Sequence, residues 1–332
     1  MFATIEATTR YCARFPEFRR TLFYRGIFGL QVSSLGIGTY LGGDDDASDR
    51  AYTDALVAAG ENGVNFFDSA INYRNQRSER CIGAALKQLQ RDEIVVCTKA
   101  GFLTPGAVPK SLRPEDVVGR MHSMAPDFLA AQTDCSLANL DIETIDVFYL
   151  HNPETQLGFV TRQEFDERIR RAFAKLEELV SLHKIRWYGA ATWEGFRKKD
   201  ALSLPRMAEI AAEIGGPEHH FRFIQLPFNL GMVEAFVDQP ESTLAAAERL
   251  GMAVVASGTL MQGQMLSHMP DAVADLLPGF ETDAQRAIQF TRSTPGITVA
   301  LVGMSRREHV MENLGVARGP QATREQYQRL YQ

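Results

Sequence analysis

The stretch FFDSAINYRNQRSERCIGAAL, residues 66–86, carries an apolar run onto an aspartate and reaches a tyrosine five positions later. Past the tyrosine, Cys81, Ile82, Ala85 and Leu86 recur at helical spacing among charged residues. SERCIGAALKQLQ therefore reads as an amphipathic helix. With VNFF (64–67) as a short buried strand before it, the stretch is one strand–loop–helix unit. Asp68 stands at the strand's C-terminal end and Tyr73 in the loop that leads to the helix.

The unit recurs along the chain. Candidate strands lie at 32–39, 94–99, 145–151, 185–191, 221–227, 252–257 and 297–303, rich in Val, Ile, Phe and Tyr. Helix candidates such as SDRAYTDALVAAGENG, FDERIRRAFAKLEELVSLHK and STLAAAERLG stand between them, and Gly60, Gly63 and Gly251 mark helix ends. Eight strands alternating with helices predict a parallel α/β architecture, and eight units in about 300 residues fit a (β/α)8 TIM barrel better than an open sheet. FYRGIFGLQVSS (23–34) reads as an N-terminal β-hairpin centred near Gly29, placed to plug the bottom of the barrel. The expected division is an N-terminal extension (1–21), a barrel (22–318) and a C-terminal tail (319–332).

Of the 332 residues, 45% are hydrophobic and 23% charged, which suits a globular protein with a sizeable core. A formal net charge of −6 argues against a nucleic-acid-binding surface. No apolar run nears the roughly 18 residues of a membrane-spanning helix. The first 20 residues lack the apolar core of a secretory signal. Their arginines give a weak likeness to an organellar transit peptide, and a plain terminal extension is the preferred reading. Cys12, Cys81, Cys97 and Cys135 form no CxxC pair or other metal-like spacing. They fit free thiols in a reducing compartment, so the expected location is cytoplasmic, with no metal.

In a barrel of this kind chemistry sits at the C-terminal ends of the strands. The second strand ends on Asp68, the third on Lys99 and the fourth on His151, with Tyr73 five residues past Asp68. Each alone has an ordinary structural use: a turn or helix cap, a solvated lysine, a core histidine. Together they make a proton-donating set. A lysine ammonium lowers the pKa of a neighbouring phenol, an aspartate gives that ammonium a partner, and a neutral histidine can donate to a carbonyl oxygen. None is a strong nucleophile, so the second reactant must come from elsewhere.

At these residues the chain resembles the aldo-keto reductase superfamily. GIGTY (36–40) is similar to its Gly-x-Gly-Thr-aromatic opening, and FFDSAINY to its Phe-Asp-Thr-Ala-x-x-Tyr signature, with Ser69 for threonine. VVCTKAGF supplies the lysine and YLHNP the histidine, and the likeness runs from about residue 22 to residue 318. It implies the barrel, a nicotinamide cofactor and the catalytic tetrad Asp68, Tyr73, Lys99 and His151. It also explains why GIG is no Rossmann fingerprint, which needs a third glycine and a later acidic residue.

The resemblance further implies a cofactor site. Gly38, Thr39, Tyr40 and Asp68 would stand beside the cofactor, and Gln225 of FIQLPFNL at its nicotinamide end. YGAATW stands where the family shows Gly-x-Ser-Asn, so Ala191 removes one side-chain hydrogen bond to the carboxamide and leaves Thr192 as the candidate. SGTLMQG would turn the backbone of Gly258, Thr259 and Leu260 toward the pyrophosphate. In VGMSRREHVMENLG, Gly303, Ser305, Glu312 and Asn313 would surround the adenosine, with a helix N-terminus adding its attraction for phosphate. Arg306, with Arg307, suits a 2′-phosphate and hence NADP. His309, where many NADPH-users carry arginine, leaves NAD open.

The expected function is interconversion of a carbonyl and an alcohol, with Tyr73 as general acid and base. Residues 102–124 and 229–242 are candidate pocket walls, and no long C-terminal lid follows Asn313. Arg74, Asn75 and Asn152 favour a polar, sugar-like small molecule as substrate. Two alternatives remain at this level: an NAD-dependent sugar or alcohol dehydrogenase on the same scaffold, and a cofactor-binding regulatory subunit with little turnover.

Overall fold

A computed structural model of the chain describes residues 1–198, 200–238, 240–267, 269, 271–323 and 327. Among the described residues there are ten strands: β1 Tyr24–Ile27, β2 Leu30–Ser33, β3 Leu35–Gly38, β4 Phe66–Asp68, β5 Val95–Ala100, β6 Ile145–His151, β7 Ile185–Ala191, β8 Phe221–Pro227, β9 Ala253–Ser257 and β10 Val299–Gly303. The last eight close into a barrel of parallel strands in the order β10-β3-β4-β5-β6-β7-β8-β9. Helices surround it, among them Asp46–Glu61, Arg77–Leu86, Pro126–Leu140 and Arg162–Ser181. The expected (β/α)8 barrel is what the chain forms.

Strands β1 and β2 pair antiparallel as the hairpin below the barrel. Its turn residues Phe28 and Gly29 both take positive φ, +48° and +86°, as a two-residue hairpin turn with the strands' own twist requires. The strand expected at 32–39 is in fact two. Val32 and Ser33 belong to the hairpin, and the chain bends at Ser34, whose N–H donates to Phe23 O (2.7 Å), before β3 turns up into the barrel. Ser33 and Ser34 stand at the bend between apolar residues, and serines of this kind also occur within strands, so the sequence reading ran a single strand through them.

Two apolar layers hold the fold. Inside the barrel Phe66, Val95, Val147, Tyr149, Phe223 and Val255 pack on Leu30 and Val32 of the hairpin and on Ala3. Outside it, Leu56, Ile82, Phe128, Phe173 and Ile210 press the helices onto the strands. With the bottom filled, the open end is the one bearing the strands' C-termini. The two glycines of GIG serve different ends. A Cβ on Gly36 would stand 2.7 Å from Leu301 Cδ2 and 2.9 Å from Val299 Cγ1, so packing inside the barrel requires glycine there. Around Gly38 the nearest atom would be 3.8 Å away, leaving room for close approach of another group.

The terminal segments pack on the barrel. Helix Ile5–Ala13 is capped by Thr4, whose Oγ1 accepts from Ala7 N, and Tyr11 donates its hydroxyl to Gly60 O at 2.7 Å. Arg186 donates to Ala3 O at 2.6 Å while its guanidinium lies 3.9 Å from the Trp187 ring centroid. At the other end, buried Arg292 donates to Val316 O and to Ser34 Oγ, and Gln321 donates back to Arg292 O. Of the expected tail, 319–323 and Tyr327 are described; the other positions lie outside the described residues.

Candidate active site

Strand geometry gathers the polar residues of the opening motif. Asp68 is the last residue of β4, Lys99 the fifth of β5's six, and His151 the last of β6. Lys99 Nζ donates to Asp68 Oδ1 at 2.5 Å and to Ser69 O at 2.6 Å. Gln225 Nε2 donates to the other carboxylate oxygen, Asp68 Oδ2, at 2.9 Å. The buried carboxylate is thus bonded on both oxygens, by a cation and by an amide, which keeps this ion pair from standing unsatisfied in the barrel.

Tyr73 is half-buried and sits over this pair, with Lys99 Nζ 4.9 Å from its ring centroid. Its ring meets His151 edge-on at 5.7 Å and Tyr40 at 4.9 Å, and Phe102 meets His151 at 5.1 Å. The four tetrad residues therefore converge, under a rim of aromatic rings.

Burial raises the Tyr73 pKa above the ordinary phenol value, against the pull of the Lys99 ammonium. At neutral pH the phenol is a proton donor; the lysine's lowering influence is present but does not dominate. Burial works against the charge on Lys99, and the Asp68 carboxylate and Tyr73 more than offset it, so its pKa is raised and it stays protonated. His151 is held neutral, its pKa well below the usual value through burial, then Lys99 and then His122.

His122 is a second buried neutral histidine, its pKa pulled down by burial to about 4. Between the ordinary imidazole value of about 6.5 and that point, the unfolded chain binds a proton at this position and the folded one does not. Stability is therefore full above about pH 6.5 and falls as pH falls toward 4, by about 1.4 kcal/mol per pH unit for this residue. Urea midpoints measured from about pH 7 down to pH 5 should show a shallower slope for His122→Gln than for the parent. Equal slopes would contradict the assignment.

The expected cofactor positions divide into two groups. Thr39 turns inward: its hydroxyl donates to Asp68 O (3.1 Å) and stands 3.0 Å from the Ser69 hydroxyl, tying β3 to β4. Gln225 is engaged with Asp68, and Thr192 N and Oγ1 both turn to Gln225 O, at 2.8 and 3.4 Å. Others are left open. Buried Thr259 Oγ1, Asn313 Oδ1 and His151 Nδ1 have no hydrogen-bond partner, nor do the Thr259 and Leu260 amides, among the described residues. Such orphans are uncommon in buried positions. They stand beyond the C-terminal ends of β9, β10 and β6, at Gly258 (φ +64°), the helix Arg307–Asn313 and the tetrad. Arg306, Arg307 and His309 are exposed, with no ion pair among the described residues, and Arg306 begins the helix without capping it. Tyr40 is exposed at the rim, Leu260, Gly303 and Ser305 lie nearby in sequence to these groups, and Glu312 O accepts from Gln285. The donor and acceptor set fits a dinucleotide.

Two of the three side chains expected to favour a polar substrate are committed elsewhere. Arg74 is buried, donating to Gly43 O at 2.8 Å and Asp49 Oδ1 at 2.5 Å, and Asn75 donates to Asp44. Both take left-handed backbone, φ +48° and +50°, which turns them from the mouth toward the 43–49 segment. Sequence reasoning also missed two fully buried polar residues, His122 and Gln156, that bond behind His151. His122 lies in the connection after β5 and Gln156 in the short 3-10 helix Pro153–Gly158 after β6, and no pattern distinguished them.

Known proteins share the family and the fold. A model of the Aldo/keto reductase family matches residues 34–272. A probable voltage-gated potassium channel subunit beta from Arabidopsis thaliana is 23% identical over 312 residues, 87% of this chain and 88% of that one. An NADH-specific methylglyoxal reductase from Escherichia coli is 27% identical over 195 residues, 57% of each chain. Among solved structures, an aldo/keto reductase from Klebsiella pneumoniae in complex with NADP and acetate superimposes with a TM-score of 0.67, at 20% identity and 91% coverage of both chains. The holo form of an aldo-keto reductase from Bacillus halodurans gives 0.68 at 21% identity, covering 93% of this chain and 95% of that one. With the barrel, the strand-end residues and the family match over most of its length, this chain belongs to the aldo/keto reductase family.

Proposed function

We propose that the protein is an NAD(P)H-dependent carbonyl reductase in which Tyr73 delivers the proton. The observation that carries this is the stack at the strand ends: Asp68 and Ser69 O hold Lys99, Lys99 lies under the Tyr73 ring, and His151 stands edge-on beside it. A reduced nicotinamide bound there would supply the hydride. Tyr73 gives its hydroxyl proton to the carbonyl oxygen as negative charge grows on it. Lys99 stays protonated and steadies the resulting phenolate, and Asp68 and Gln225 keep the ammonium in place. Neutral His151 donates an N–H to the same oxygen and orients the carbonyl. In the opposite direction the phenolate removes the proton of an alcohol.

Thr259, Leu260, Asn313 and the Arg306–Arg307 pair are the groups that would hold the cofactor, and the paired exposed guanidiniums favour NADP over NAD. The aromatic rim of Tyr40 and Phe102, together with the engagement of Arg74 and Asn75 elsewhere, supports a small carbonyl compound with an apolar body over a sugar. The cytoplasmic expectation remains part of this reading; no helix among the described residues is long and apolar enough to cross a membrane.

The test is oxidation of NADPH and NADH by a reactive aromatic aldehyde, followed by nicotinamide absorbance. Arg306→Ala with Arg307→Ala should raise KM for NADPH roughly tenfold or more and leave NADH nearly unchanged, the loss expected for charge-assisted bonds to a phosphate. Equal effects on both cofactors would remove the 2′-phosphate assignment. A second reading is favoured by the similarity to potassium channel β-subunits over most of the chain. In it the protein binds the nucleotide and regulates a partner, and binding without any aldehyde-dependent oxidation would support it.

A further inference from the structure

We propose that His122 is a positioning residue for His151: its imidazole takes the place of a neighbouring strand at the end of β6 and fixes the 102–124 wall to the site. The inference rests on the role of His151 given above.

Strand β5 ends at Ala100, which pairs with Leu150. One residue further the chain leaves the sheet, and among the described residues no backbone N–H donates to His151 O on that side. His122 Nε2 fills the position, 2.8 Å from His151 O. The space is tight: a Cβ on Gly101 would collide with both His151 O and His122 Nε2, so only glycine allows the imidazole to come in.

The direction of this bond is set from outside. Arg168 Nη1 donates to Gln156 Oε1 at 2.7 Å, which turns the amide nitrogen of Gln156 inward. That nitrogen lies 2.8 Å from His122 Nδ1 and donates to it. Nδ1 is then an acceptor, the ring proton sits on Nε2, and Nε2–H points at His151 O. Arg168 is itself held by Glu164 at 2.8 Å. His122 and Gln156 are fully buried, so a wrong tautomer would leave two polar groups facing without a proton between them or with one too many.

His122 also anchors the wall. Its N–H donates to Val118 O (3.1 Å), its O accepts from Val118 N (2.9 Å), and Ser123 N donates to Gly101 O (2.8 Å). Phe102, edge-on to His151, is edge-on to His122 as well, at 5.2 Å. One side chain therefore couples the placement of His151 to the shape of the pocket.

The experiment uses the full chain. In 15N spectra of the imidazoles without cofactor, with His151→Asn identifying the His151 signals, His122→Phe should move those signals. It should also lower kcat with an aromatic aldehyde by about tenfold or more, the scale of effect expected from a small misplacement of a catalytic group, while KM for NADPH stays within about twofold. His122→Gln, whose amide can still donate to His151 O, should restore both. Arg168→Met should convert His122 from one tautomer to a mixture, seen in its own pair of 15N signals. Unmoved His151 signals in His122→Phe overturn the proposal. If that variant does not fold, an unchanged single His122 tautomer in Arg168→Met overturns it. If the parent oxidises no NAD(P)H with any aldehyde, the catalytic reading fails, and the His151 signals still decide the positioning.

Discussion

Replacing Tyr73 by phenylalanine is expected to lower turnover of an aromatic aldehyde by about 10²–10⁴-fold, the range of a lost general acid, with little change in cofactor affinity. The substitution removes one oxygen and keeps the ring, so the edge-on contacts with Tyr40 and His151 survive. The Lys99–Asp68–Gln225 bonds do not involve the phenol oxygen and survive too. What is lost is the proton that Lys99 makes easier to give up. Single-turnover rates and the Kd for NADPH, measured on the same preparation, separate the two effects. Retention of more than about a tenth of the parent rate would be too much for a lost proton donor and would overturn the role of Tyr73.

The largest expected loss of stability comes from the other end of the barrel. Asp146, the second residue of β6, has no exposed surface and collects three donors. Oδ1 accepts from Ala3 N at 2.8 Å; Oδ2 accepts from Arg91 Nη2 at 2.7 Å and from Val96 N at 2.9 Å. Arg91 in turn donates to Ile94 O and Thr144 O, so this carboxylate joins the N-terminal segment, β5 and β6. Asp146→Ala leaves a nearly buried guanidinium without its counter-charge and two backbone amides without partners. Breaking a buried pair in this way costs about 3–5 kcal/mol. The urea midpoint should fall accordingly with an unchanged m-value. A loss under about 1 kcal/mol, the scale of an exposed ion pair, would mean that water replaces the carboxylate, and that the N-terminal segment is not held by it. Because the pair is remote from the strand ends that carry the tetrad, NADPH affinity of the folded fraction should not change.

Asp68, Lys99 and His151 were legible because a parallel barrel puts every strand's C-terminal end on one face. A chemically capable residue at a strand end is then placed by its position in the chain. Tyr73 was legible for the same reason, five residues beyond such an end. Asp146 lay inside the strand segment 145–151, and no pattern singled it out. Its meaning depends on Ala3, which is 143 positions away in sequence.

Arg74 and Asn75 show the opposite case. As isolated polar residues beside Tyr73 they suggested contacts with substrate, and it is the left-handed backbone at both that turns them to Gly43, Asp49 and Asp44. Backbone hand at a non-glycine residue is not written in local composition, because it is sustained only by the surrounding contacts. The bend at Ser34 and the roles of Gly36 and Gly101 belong to the same class. Each depends on what stands across a gap of a few ångströms from a distant part of the chain.

By itself, then, the sequence determined the alternation of strands and helices, the closure of eight units into a barrel and the residues gathered at its mouth, since these follow from periodicity and chain order. Only the tertiary structure decided which of those side chains are free to meet a ligand, which tautomer His122 holds behind His151, and how the N-terminal segment seals the barrel floor. Those depend on hydrogen bonds between residues far apart in the chain, whose partners exist only once the barrel has closed.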